Sequence, residues 1–113
     1  MGSFNIQINK SNKIFNAEVE GTFSPEDGMK SIEAYQKEIS TITPSEYEIH
    51  IDCTKLNVSH ADTLPILEGC FQLYKKDGFK EIKLTISKNP ILSMQLKRIG
   101  RRVELTNFEI IEA

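Results

Sequence analysis

Short runs in which apolar and polar residues alternate recur along this chain, separated by longer segments whose apolar residues fall three or four positions apart. Alternation with a period of two is typical of a half-buried strand, whereas steps of three and four predict one apolar face of a helix. The sequence therefore predicts strands and helices in turn. The predicted strands lie at residues 4–8, 15–20, 47–52, 82–86 and 108–111.

The order of these segments is β-β-α-β-α-β-α-β. Strands separated by helices favour a parallel sheet with right-handed crossovers, and the opening pair around the turn at residues 10–12 predicts a β-hairpin. The predicted fold class is α/β: a single mixed, largely parallel sheet of about five strands packed against three helices. The 113 residues have the size of one domain, and we expect residues 1–113 to form it.

The first helix has a start signal of several parts. Ser24 is a capping residue, Pro25 suits the first helical position, and Asp27 follows at capping-box spacing. The apolar residues after this signal predict the buried stripe of the helix, which consists of Met29, Ile32, Tyr35 and Ile39.

Proline, glycine and asparagine mark the bounds of the other two helices. Pro65 is tolerated only in a first turn, so the second helix is predicted to have Asp62 or Thr63 as its cap. Gly78 is predicted to end that helix in the left-handed conformation, and Asn89 to cap the third. The predicted buried residues are Leu64, Leu67, Cys70, Phe71 and Tyr74 on the second helix and Leu92, Leu96, Ile99 and Val103 on the third.

Composition and hydropathy restrict the cellular compartment of the protein and the classes of ligand that it could bind. A formal charge of −2 and a pI near 5.7 give no overall attraction to nucleic acid or anionic lipid. No apolar stretch reaches the roughly 18 residues of a membrane span, and no signal-peptide core is present, so we expect a cytoplasmic protein without direct membrane insertion. Cys53 and Cys70 fit no zinc pattern and are predicted to be reduced and mostly buried. No cofactor is predicted.

The loop at residues 52–64, between the third strand and the second helix, carries a resemblance to a known family. The positions that match are Gly21, Leu56, Val58, Leu64, Tyr74, Gly78 and Ser87. With its element order, the chain resembles STAS domains, whose best-known members are the bacterial anti-sigma factor antagonists. The resemblance implies a protein-binding regulator whose partner is an anti-sigma factor or a kinase-like regulator.

In the STAS family this loop has the form Asp-Ser-Ser-Gly-Leu and carries a phosphoacceptor serine. Ala61 stands at that position here, and alanine has no hydroxyl to phosphorylate. His60 replaces the preceding aspartate, Asp62 the second serine and Thr63 the glycine. The switch that the resemblance implies, in which a kinase adds about −2 of charge at a helix N-terminus, is therefore absent in its usual form.

Nearby polar residues offer two replacements for that switch. Ser59, Thr63 or Thr54 could accept a phosphate, although hydroxyls in such loops commonly make capping or turn hydrogen bonds instead. Asp62 would place a fixed negative charge at the helix N-terminus, or act as an ordinary cap. By resemblance, the partner-binding loop and helix consist of Ser59, His60, Ala61, Asp62, Thr63 and Leu64.

The sequence contains no recognisable catalytic arrangement. His50 and His60 stand in a strand and a loop without a Ser, Cys or Asp in triad spacing. Cys53 is near both in sequence and would be an activated thiol only if one histidine paired with it, which sequence neighbours seldom do. Since a Gly-rich phosphate loop is also lacking, we expect no enzyme activity.

The third predicted helix carries the one concentrated charge of the sequence. Its bases are Lys97, Arg98, Arg101 and Arg102, with Lys88 just before them. They could be a solvated face that complements the helix dipole. Alternatively, they could bind an anion such as a nucleotide phosphate, or an acidic partner.

Exposed apolar side chains would be a further docking signal. Phe79 and Ile66 are candidates, because they fall off the main stripe, but burial is an equally open alternative for each of them.

Three functions are open on the sequence alone. The STAS resemblance favours a non-catalytic regulatory module that binds a partner protein. The alternative is an accessory domain of a transporter, or a small-ligand domain that binds a nucleotide or supports lipid transport. The third is a homodimerising domain without a switch.

Overall fold

A computed structural model describes residues 2–58 and 61–112 of the chain. The order of the elements confirms the predicted α/β class. The strands are β1 (Ser3–Asn9), β2 (Ile14–Gly21), β3 (Glu48–Leu56), β4 (Ile82–Ile86) and β5 (Phe108–Glu112). The helices are α1 (Pro25–Ile39), α2 (Leu64–Asp77) and α3 (Pro90–Arg102), and a short 3-10 helix covers Pro44–Glu46.

The five strands lie side by side in the order of the sequence. β1 pairs antiparallel with β2, while β2, β3, β4 and β5 run parallel. Crossovers of one hand that always step in the same direction put their helices on the same face of the sheet, and α1 contacts α2, which contacts α3. The opposite face is not covered by any of these helices and carries polar residues such as Glu18, His50 and Asp52.

The core lies between the sheet and the helices. Phe15 on β2 is fully buried, and its ring meets the rings of Tyr35 and Phe79 edge to face, with centroids 5.6 and 5.9 Å away. Of the two alternatives that the sequence leaves open for Phe79, burial is therefore the correct one, and Phe79 is not an exposed docking residue. Gly78, with a φ of 78°, ends α2 as predicted and lets the chain turn so that the next side chain enters the core.

The start of α1 confirms the predicted capping box. Ser24 Oγ accepts a hydrogen bond from the Asp27 N–H, and Asp27 Oδ2 accepts one from the Ser24 N–H, both 3.1 Å long. The N–H of Gly2 donates to the same carboxylate, so the beginning of β1 is joined to α1. Asn89 caps α3 in the same local way, by accepting from the Leu92 N–H.

The predicted stripe of α1 is wrong at its first member. Met29 is 54% exposed, because it lies about 100° around the helix from Gly28, which is buried against α2. Gly28 fits there because it has no side chain: a Cβ atom at this position would lie 2.8 Å from Ile66 Cγ2. Tyr35, a later member of the stripe, is buried as predicted.

Candidate functional site

Two connections of the chain come together at one edge of the sheet. Since β2 and β3 run parallel, their carboxyl ends point the same way, and the connections to α1 and α2 leave from the same edge. Ligand sites in α/β proteins are usually found at this edge. We call residues 21–24, 57–58 and 61–64 the loop surface.

Hydrogen bonds join the two connections to each other. Asn57 donates from its backbone N–H to the Gly21 carbonyl over 3.0 Å and from its side chain to Thr22 Oγ1 over 2.8 Å. The Thr63 hydroxyl, which is buried, donates to the carbonyl of Phe23 over 3.0 Å. These hydrogen bonds therefore join the two connections into a single surface.

Two residues predicted for the partner-binding site are exposed to solvent on the loop surface. Ala61 and Asp62 are exposed, and Leu64 is half-buried at the first position of α2. Asp62 makes no ion pair within residues 2–58 and 61–112. Ser59 and His60, which the sequence also assigns to the site, lie outside the described residues.

The alternative that Asp62 caps α2 is wrong. Thr63 occupies the N-cap position, but its backbone is αR and its side chain makes no capping bond to the helix. Its hydroxyl bonds to the Phe23 carbonyl instead. A phosphate on Thr63 would have to replace this buried contact. Thr54 is also engaged, because its N–H and its hydroxyl both donate to Asp52 Oδ1.

A hollow of about 510 Å³ lies beside Asp62, at the start of α1. Hydrogen bonds from the Ser24 and Gly2 N–H groups hold the pKa of Asp27, in this hollow, below its ordinary value of 3.8. The hollow is lined by Thr22, Phe23, Ser24, Pro25, Glu26, Asp27, Lys30 and Asp62. The residues that follow β2 were not predicted to belong to the site. Their position directly after a parallel strand could have indicated it.

A smaller cavity of about 80 Å³ lies below the loop surface, between α1, α2 and the sheet. Ile66, which the sequence offers as an exposed docking residue, is half-buried in its wall. The lining is mostly apolar and includes Val19, Phe23, Gly28, Cys53, Leu56, Ile66, Leu67, Cys70 and Tyr74.

The cysteines in this cavity wall are poor nucleophiles. Burial raises the pKa of Cys53 to about 12, with a smaller contribution from Asp52, and burial raises the pKa of Cys70 to about 11. Both are therefore protonated thiols near neutral pH. His50 lies on the opposite face of the sheet, where its ring nitrogen is 2.9 Å from Glu48 Oε1. No cluster of three or more metal-ligating side chains is found in the part of the chain that the structure describes.

The predicted basic cluster is not part of the loop surface. Lys97, Arg98 and Arg101 are exposed on α3, which packs against α2 and β5. With Lys88 they line an open hollow of about 500 Å³. Arg102 points elsewhere and pairs with Glu68 on α2, with 3.3 Å between Arg102 Nε and Glu68 Oε1.

None of the helices in residues 2–58 and 61–112 is long and apolar enough to cross a bilayer. When the sequence is compared with models of protein families and with curated proteins, neither comparison gives a match.

Proposed function

We propose that the chain is a non-catalytic regulatory module that binds a partner protein through the loop surface, in the manner of the anti-sigma factor antagonists that it resembles. The observation that carries the proposal is the linked pair of connections, in which the buried bond from Thr63 to Phe23 supports the exposed residues Ala61 and Asp62. A surface that is ordered before binding loses less conformational entropy when the partner docks.

The exposed groups of the loop surface suit contact better than chemistry. The Ala61 methyl group lets a partner approach the backbone closely, and the exposed Asp62 carboxylate can pair with a base on the partner. Glu26 and Asp27, in the same hollow, add two further negative charges, although Lys30 lies 3.4 Å from the Glu26 carboxylate. We therefore expect a partner with a basic group at the centre of its binding site, such as an anti-sigma factor or a kinase-like regulator.

The residue at position 61 bears on how such a module would be regulated. Ala61 cannot accept a phosphate, so Asp62 would keep a constant negative charge at the surface. The buried, bonded hydroxyl of Thr63 speaks against it as a phosphorylation site. Ser59 is then the better candidate for a relocated switch.

The experiment has two stages. Tagged chain is recovered from the lysate of its native host, captured proteins are identified by mass spectrometry, and phosphate on the bait is located in the same run. The dissociation constant of each captured protein is then measured with the wild-type chain and with two variants, Asp62→Lys and Glu33→Lys. Glu33 is exposed on α1 outside the loop surface, so its variant makes the same charge change elsewhere.

We expect Asp62→Lys to weaken binding by about tenfold or more, which corresponds to about 1.4 kcal/mol, and Glu33→Lys to leave it nearly unchanged. Equal dissociation constants for all three proteins would show that the partner binds elsewhere. If no protein is captured and the chain self-associates in light scattering, a homodimerising domain replaces the proposal.

A second candidate function, small-ligand binding, is favoured by the cavity of about 80 Å³. Its apolar wall suits a small apolar molecule rather than a nucleotide, whose phosphates need cations. A ligand that binds only the native state raises the melting temperature. A rise with small apolar compounds that disappears in Cys70→Leu, which fills the cavity, would favour this function. The same rise in both proteins would exclude the cavity.

A further inference from the structure

The outward face of α3 combines positive charge with exposed apolar side chains. The buried face of this helix contains Leu92, Leu96, Ile99 and Val103. At about 3.6 residues per turn, Met94 lies on the side opposite to these residues, with Arg98 and Arg101 next to it. We call the face formed by Lys88, Ile91, Met94, Lys97, Arg98 and Arg101 the α3 strip.

The apolar members of the strip are open to solvent. Ile91 is 56% exposed and Met94 is 52% exposed, two of the highest values among the large apolar side chains that the structure describes. They lie one turn apart, and the main contacts of α3 are with α2 and β5, on the other side of the helix. Such exposure needs a reason when it coincides with a charged patch.

The bases of the strip have no acidic partner among the described residues. Lys88, Lys97, Arg98 and Arg101 make no ion pair there, whereas Arg102, just off the strip, pairs with Glu68. A carboxylate close to the strip belongs to Glu112, which lines the margin of the same hollow without pairing to these bases. The four positive charges of the α3 strip are therefore available to bind an anion outside the protein.

We propose that the α3 strip docks the protein on an anionic lipid bilayer, with α3 lying in the plane of the interface. The bases would contact lipid phosphates, and Ile91 and Met94 would enter the boundary between headgroups and acyl chains. The formal charge of −2 does not oppose this, because the field that a bilayer meets is local and is screened over about 10 Å at moderate salt.

The composition of the strip favours lipid over a protein partner. Protein interfaces use aromatic anchors and are depleted in lysine at their centres, whereas the strip has no aromatic residue and contains Lys88 and Lys97. Its methionine and its two arginines are residue types that protein interfaces also use, so lipid is favoured only by the lysines and by the missing aromatic anchor. Two aliphatic side chains with four surrounding bases would give weak, reversible attachment, because binding increases with the buried apolar area and with the attraction to anionic lipid. The loop surface is formed by other connections, those after β2 and β3.

The test is sedimentation of the full chain with vesicles, either of phosphatidylcholine alone or of phosphatidylcholine mixed with phosphatidylglycerol. We expect binding to the mixed vesicles only, and weaker binding as salt is raised. The double variant Arg98→Glu with Arg101→Glu should bind at least about 25-fold more weakly, because each base near an anionic surface contributes about a fivefold factor. Met94→Ser should also weaken binding, with little change in its salt dependence.

The matched control is Lys10→Glu with Lys37→Glu, which makes the same charge change at two exposed positions outside the strip. It should lose much less binding than the double variant on α3. The proposal is overturned if the control loses as much, if both vesicle types bind equally, or if neither binds. It is also overturned if ATP raises the melting temperature through Arg98 and Arg101 while vesicles do not bind, since the strip would then be a nucleotide site.

Discussion

The hydroxyl of Thr63 donates a 3.0 Å hydrogen bond to the backbone carbonyl of Phe23, across a separation of 40 residues. Thr63 is buried and the bond is partly buried, and it links the connection before α2 to the connection before α1. We expect the position of the proposed partner-binding surface to depend on this bond.

Replacement of Thr63 by valine removes this bond at almost constant volume. We expect a loss of about 1–2 kcal/mol in the free energy of unfolding, because the Phe23 carbonyl is left without its donor in a partly buried place. Urea unfolding of both proteins measures the loss. Thr41→Val is the control: Thr41 donates a 2.7 Å bond to the Glu38 carbonyl at an exposed site, where water can replace it. Equal losses in the two variants would contradict the special role of the buried bond.

The approach of α1 to α2 predicts opposite effects for two Gly→Ala substitutions. At Gly28 the new Cβ atom would lie 2.8 Å from Ile66 Cγ2, so we expect a destabilisation of about 1–3 kcal/mol in spite of the better helix propensity. At Gly69 on α2, a new Cβ atom would meet no atom of the described residues within 4 Å beyond its own turns of helix, and Gly69→Ala should stabilise by about 0.5–1 kcal/mol.

A double-mutant cycle identifies the clash. If Ile66 Cγ2 is responsible, Gly28→Ala should cost less in an Ile66→Ala background than in the wild type, as measured by urea unfolding. An equal cost in both backgrounds would mean that another contact limits the approach of the helices.

Asp27 makes stability depend on pH in the acid range. Its pKa in the folded protein is lowered below 3.8 by hydrogen bonds from the N–H groups of Ser24 and Gly2. The carboxylate therefore contributes stability above its unfolded pKa, and this contribution is lost as the pH falls through the folded pKa. We expect the wild type to be more stable than Asp27→Asn at neutral pH, and the difference to shrink below about pH 4. Unfolding in urea at several pH values measures it; a constant difference would exclude the mechanism.

The thiols should be protected in the native protein. Cys53 is 2% exposed with a pKa raised to about 12, and the pKa of Cys70 is raised to about 11. At neutral pH a thiol with the second value has about 100-fold less thiolate than a thiol with the ordinary pKa of 9.0. Iodoacetamide should therefore modify both cysteines slowly until urea unfolds the chain. A Ser45→Cys variant supplies an exposed reference thiol, and labelling of Cys53 at the rate of that reference would contradict the prediction.

The helix caps could be predicted from the sequence because they depend on residues that are close together in the chain. Ser24, Asp27 and Asn89 bond to backbone groups three residues away, and Gly78 takes a conformation that its own lack of a side chain allows. The strands could also be predicted from the sequence. One face of the sheet is covered by helices and the other is not, and this produces the alternation of apolar and polar residues. Element order and fold class follow from these local patterns.

Only part of the candidate site followed from the sequence. Ala61 and Asp62 are exposed in the predicted loop, but the contribution of Thr22 and Phe23 depends on two parallel strands ending at the same edge of the sheet. Asp62 has a residue type that suits a cap. In the folded chain, however, α2 begins at Leu64, so Thr63 and not Asp62 is at the N-cap position. The Thr63 side chain bonds to the Phe23 carbonyl, in the connection between β2 and α1.

The sequence by itself determined the strands, the helices, most of their caps and the order of these elements, because those features depend on residue periodicity and on bonds between near neighbours. Tertiary structure decided which apolar side chains stay exposed: Phe79, left open by the sequence, enters the core, and Met29 faces solvent against the prediction. It also decided that Arg102 finds a carboxylate among the described residues while Arg98 and Arg101 do not. Burial and ion pairing depend on which distant segments meet, and the periodicity of a single segment carries no information about its neighbours.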